Sequence, residues 1–114
     1  MKIAIASTGA TPDSDVSQHG ARAPFYLIYH SDGSLHASLS NPYIDAERGA
    51  APKVARFLTQ QDVQLLVAGS FGERFMTELE ADGIRQVQKT GSIADLLTEV
   101  LEYLQAEKNS RSPH

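Results

Sequence analysis

The stretch QHGARAPFY, residues 18–26, sets His19 and Arg22 among Gly20, Ala21 and Ala23, just before an aromatic-rich run. An imidazole can ligate a metal or fix a turn through a backbone carbonyl, and the local sequence leaves both roles open to His19. The other histidines stand at 30, 36 and 114, without an H-E-x-x-H pattern or paired cysteines, so no zinc signature is present. His30 and His36 are expected on the surface and His114 in the tail. A second stretch, GSFGER at residues 69–74, follows an apolar run and opens a helical pattern. Backbone N–H groups at a helix start, aided by the positive end of its dipole, can hold an anion. Gly69 and Gly72 would let a ligand approach the backbone closely, although many strand-to-helix turns use glycine for geometry alone.

Composition limits what these residues can be asked to do. A chain of 114 residues suits one domain with one core. Its 41% hydrophobic and 21% charged residues are those of a globular chain rather than a disordered one. A net charge of −4 speaks against a nucleic-acid partner, so an anionic ligand must be held by a local cluster of positive groups. With no cysteine, neither a disulfide framework nor a thiolate-held metal site is available. The apolar start MKIAIAS is too short for a signal peptide or a membrane span, and a cytoplasmic protein with no membrane partner is expected.

The elements that must position the two stretches follow from periodicity. Lys2 to Ser7 is nearly all apolar, as in a strand covered on both faces. Ala4 and Ala6 share one face, which allows a helix to lie close. The Gly-, Ser-, Asp- and Pro-rich segment from Thr8 to Ala23 is long for a plain connection and reads as functional or mobile. PFYLIYH is a second strand, and Asp32-Gly33 turns it into a third, LHASLS, with Leu35, Ala37 and Leu39 inward. A helix begins near Pro52, a buried strand follows in QLLVAGS, and GERFMTELEAD forms a helix closed by Gly83. IRQVQK is a short polar edge strand. Ile93, Leu96, Leu97, Val100, Leu101 and Leu104 recur at helical spacing behind Ser92, with Asp95 completing a capping box. The predicted fold is α/β and ribonuclease-H-like: a mixed five-stranded sheet with helices on both faces, in the order β-β-β-α-β-α-β-α. The domain spans residues 1–104, and residues 105–114 form a flexible tail.

Nucleases of this topology hold metal ions with carboxylates on central strands. Neither Ile3 to Ser7 nor Leu65 to Ala68 contains an acid, so nuclease and phosphatase activity are expected to be absent. Both candidate stretches lie beyond the C-terminal ends of central strands, the edge where open α/β sheets bind ligands.

Four segments in order, MKIAIAS, VSQHGARAPFYLIY, NPY followed by GAAPKVARFL, and VAGSFGERFMTELEADGI, resemble the dinitrogenase iron-molybdenum cofactor-binding family of NifX-type domains. The resemblance runs from about Met1 to about Leu101. The family loop reads approximately E-H-F-G-R-A-P-Y-F. Here His19, Arg22, Ala23 and Pro24 match it, and Gly20-Ala21 replaces Phe-Gly. The family's later G-x-x-G turn falls on Gly69 and Gly72, with Ser70 and Phe71 between. The resemblance implies a non-catalytic carrier or scaffold for an iron-molybdenum cofactor precursor or another molybdenum–sulfur cluster. It implies a site made by His19, Gly20, Arg22, Gly69, Ser70, Phe71 and Gly72, with His19 as metal ligand, Arg22 pairing with cluster sulfur or a carboxylate, and the Thr8–Ala23 loop ordering around the cluster. Cofactor-assembly or acceptor proteins are the implied partners. A small-anion or nucleotide sensor and a protein-interaction module are the alternatives on the same fold.

Overall fold

The computed structural model describes residues 1–46 and 48–111. The elements run β1 (Lys2–Ser7), β2 (Phe25–His30), β3 (Leu35–Ser40), α1 (Ala50–Gln60), β4 (Val63–Ala68), α2 (Glu73–Ala81), β5 (Arg85–Gln88) and α3 (Ile93–Arg111). They build one mixed sheet in the order β3-β2-β1-β4-β5. β1 lies antiparallel to β2, with Lys2 opposite His30 and Ser7 opposite Phe25. On its other side β1 runs parallel to β4, and β4 runs parallel to β5. The two strands with unbroken apolar character are therefore the inner parallel pair, as expected from strands that need cover on both faces.

Two cores result from the alternation of side chains. Ala4, Ala6, Tyr26, Ile28, Leu66 and Ala68 face α1 and α2, meeting Val54, Ala55, Leu58, Phe75 and Leu79. Ile3, Ile5, Leu27, Tyr29, Leu65 and Val67 face α3, meeting Ile93, Leu96 and Val100. Ser92 Oγ accepts a bond from Asp95 N–H at 3.5 Å at the start of α3, the expected capping contact. Gly83 takes φ 74 just beyond α2, the left-handed conformation that ends a helix. Among the described residues no helix is long and apolar enough to cross a membrane.

Leu35 is 43% exposed, not inward, because a one-residue slip in the β2–β3 register breaks the alternation at the start of this edge strand. α3 continues to Arg111, past Leu104 where the apolar repeat ends. Arg85 on β5 grips Glu107 with both guanidinium nitrogens at 2.6 Å, which holds the helix past the last apolar position. Residues 112–114, including His114, lie outside the described residues.

The Thr8–Ala23 segment, which the resemblance expects to order around a cluster, already has backbone anchors of its own. It is fastened by the protein itself. Ser17 N–H donates to Ala6 carbonyl at 2.7 Å, Val16 N–H to Gly91 carbonyl at 2.9 Å, and Ile93 N–H to Ser14 carbonyl at 3.1 Å. Val16 enters the core under α3. The loop is thus a strap from β1 to the start of α3, not a free flap.

Candidate functional site

Because β1 and β4 are parallel neighbours, the loops that leave them emerge side by side. A parallel bridge joins His19 to Ser70. Gly69 N–H donates to Ser17 carbonyl at 2.9 Å and Gly20 N–H to Ser70 carbonyl at 3.1 Å. Ser70 Oγ donates to Gln18 carbonyl at 2.7 Å. The loops close on each other because two glycines permit it. A β-carbon on Gly69 would stand 2.9 Å from Gln18 Cα, and one on Gly20 would stand 3.0 Å from Phe75 Cε2 and 3.2 Å from Ser70 carbonyl. Gly20 therefore makes space for the chain's own aromatic rings and backbone. Phe71 and Phe75 stack beside it with centroids 6.2 Å apart.

Buried polar groups hold this loop from below. Asn41, 4% exposed, donates through Nδ2 to Ala21 carbonyl at 3.2 Å and Ala23 carbonyl at 3.0 Å. Its Oδ1 accepts from Tyr43 N–H at 2.9 Å. Tyr26 hydroxyl donates to Gly20 carbonyl. Burial pushes that hydroxyl well above the ordinary phenol range, so it remains a donor at any ordinary pH. Asn41→Ala is expected to cost about 2 kcal/mol, since buried carbonyls and an N–H lose their partner. Urea unfolding measures it, and a loss under about 0.5 kcal/mol would show that the clamp is not needed.

Above the clamp opens a cleft of about 720 Å³, between the 19–22 loop and the starts of α1 and α2. Among the described residues its rim carries Arg22, Arg48 and Arg74 against one acid, Glu73. Arg22 Nη1 donates to Ala46 carbonyl at 2.8 Å, which ties the strap to the segment before α1. Both helix starts are open: Gly49 caps the start of α1 and Gly72 that of α2, and neither supplies a side-chain cap. Their first N–H groups and dipoles add to the arginines in a protein whose overall charge is negative. An excess of cationic groups and unspent N–H donors around an open cleft is the chemistry of an anion site.

His19, Gly20, Arg22, Ser70 and Gly72 line this cleft. Gly69 is buried beneath Gln18, and Phe71 lies against Phe75 rather than on the cleft wall. Gly72 meets nothing within 4 Å at its β-carbon position, so its bareness serves the opening and not the packing. Sequence reasoning missed Arg48 and Arg74. Arg48 directly precedes the helix-opening Gly49 and Arg74 follows Gly72 by two positions, a placement at helix starts that could have marked them. Among the described residues no group of three or more His, Cys, Asp or Glu could hold a metal ion. A metal-bearing occupant would rest on His19, the arginines and backbone N–H groups.

A profile of the dinitrogenase iron-molybdenum cofactor family matches residues 1–103. The chain belongs to this family. Among solved structures it is similar to a Thermotoga protein assigned to NifB, with 28% identity and a TM-score of 0.73 over 90% of this chain and 87% of that one. It is also similar to the apo orange protein of Desulfovibrio gigas, with 21% identity and a TM-score of 0.83 over 90% and 88%. The second likeness is one of fold alone. No curated protein matches the sequence. Membership in the family agrees with the resemblance seen in the four sequence segments.

Proposed function

We propose that this protein is a non-catalytic carrier that holds an iron-molybdenum cofactor precursor, or a related metal–sulfur cluster, in the arginine-rimmed cleft. The single observation that carries this reading is the convergence of Arg22, Arg48 and Arg74 with two uncapped helix starts on one open cleft. A molybdenum–sulfur cluster is a bulky anion, and family membership supports that class of occupant. With no thiolate in the chain, the cluster is held mostly by charge and hydrogen bonds, and His19 supplies an imidazole ligand at the cleft edge. Such a mode favours handing a cluster on over keeping it, so the partners are cofactor-assembly or acceptor proteins. We read the sheet order as ribonuclease-H-like, here serving as a platform without nuclease chemistry, in a cytoplasmic setting.

Anaerobic equilibrium titration with tetrathiomolybdate tests the reading. His19→Ala and Arg22→Ala are each expected to weaken binding about tenfold, one by removing a ligand and the other by removing charge. If both variants bind like the parent, the site is elsewhere. Parallel titration with nucleotides separates the alternative sensor function: saturable nucleotide binding without thiomolybdate binding would replace the carrier reading.

A further inference from the structure

At the opposite end of β1 from the cleft, where Lys2 faces His30, two imidazoles meet at the tip of the β2–β3 hairpin. His36 Nδ1 lies 3.2 Å from His30 Nε2, and the rings stand at 76° with centroids 4.8 Å apart. Regular pairing would keep them apart. Ile28 faces Ala37, so an unbroken ladder would set Tyr29 opposite His36 and place His30 on the other face. Instead the register slips and Tyr29 faces Leu35. The bulge re-aims His36 and brings the two rings together.

We propose that His30 and His36 form a two-imidazole site for a divalent transition metal of the zinc–copper class, separate from the cleft. The spacing suits it. Two nitrogens at Zn–N distances of about 2.0–2.1 Å in tetrahedral geometry are about 3.3 Å apart. Neutral imidazole nitrogens of this kind are ligands for zinc and copper. The metal takes the place of the proton between the rings, and that proton moves to an outer ring nitrogen, so each histidine binds as a neutral ligand. His36 is exposed and His30 half-buried, which leaves solvent to complete the coordination shell. The charges acting on the pair are Lys2, which opposes a cation, and Asp32, which favours one. Asp32 is held in place by Ser34, whose N–H and Oγ donate to Oδ1 at 2.8 and 2.6 Å.

Titration of the untagged full chain with zinc sulfate, followed by calorimetry, tests the site. One equivalent is expected to bind at sub-millimolar concentration. His30→Gln and His36→Gln should each weaken binding by at least about tenfold, since loss of even an indirect partner of a metal ligand costs about 10–100-fold. His114→Gln should bind like the parent. On the parent itself, zinc should shift the imidazole nitrogen resonances of His30 and His36 together, a readout that needs no variant. Absence of binding at 1 mM zinc would overturn the proposal. So would unchanged affinity in His30→Gln and His36→Gln, or a loss confined to His114→Gln.

Discussion

Gly69→Val is expected to destabilise the protein by about 3 kcal/mol and to lower its melting temperature by about 10–20 °C. The first atom of the new side chain would fall 2.9 Å from Gln18 Cα, a backbone atom that cannot swing aside. Gln18 is held on both sides. Ser17 carbonyl accepts from Gly69 N–H, and Gln18 carbonyl accepts from Ser70 Oγ. Relief of the clash therefore breaks those bonds and parts the two loops that form the cleft floor. Gly72→Ala is the matching control, because a β-carbon there meets nothing within 4 Å. That variant should stay within about 1 kcal/mol of the parent, the usual range for alanine at a helix start. Urea denaturation of the two variants decides the point, and a Gly69→Val protein as stable as Gly72→Ala would show that the loops are not locked together.

The second large effect is on binding. An Arg48→Ala and Arg74→Ala double variant is expected to bind tetrathiomolybdate about a hundredfold more weakly than the parent, at about tenfold for each charge-assisted contact. Both residues are exposed, and among the described residues neither forms an ion pair. Folding stability should therefore change by less than about 1 kcal/mol, so lost binding is not lost structure. Salt dependence gives a second readout. With two cations removed, affinity should fall less steeply as ionic strength rises. A double variant with parental affinity and parental salt dependence would remove the arginine rim from the site.

Much of the scaffold was legible because apolar patterning reports burial directly. Ile3 to Ala6 and Leu65 to Ala68 had to be inner strands, and the Ile93-to-Leu104 spacing had to be a helix with one buried stripe. Parallel pairing of the inner strands then put His19 next to Ser70 without further information. What escaped the sequence depends on contacts between distant residues. The hold of Arg85 on Glu107 extends α3, and neither residue belongs to the apolar repeat. Arg48 and Arg74 come together only because two helices start at the same sheet edge. The slip between Ile28 and Tyr29 has no signature in an alternating strand, yet it exposes Leu35 and pairs His30 with His36. Asn41 looked like an ordinary loop residue, and its value lies in carbonyls about 20 positions earlier in the chain.

Ala4 and Ala6 present single methyl groups to the core that α1 and α2 share. The height at which those helices ride over the sheet is thus set by the smallest side chains that still fill space. The same helices carry two sides of the cleft at their leading ends. An extra methylene underneath would act like a shim beneath a hinge, changing the gape of the mouth from a place no occupant ever touches. Interior volume thus becomes a way to tune what the cleft accommodates without changing any residue that faces it.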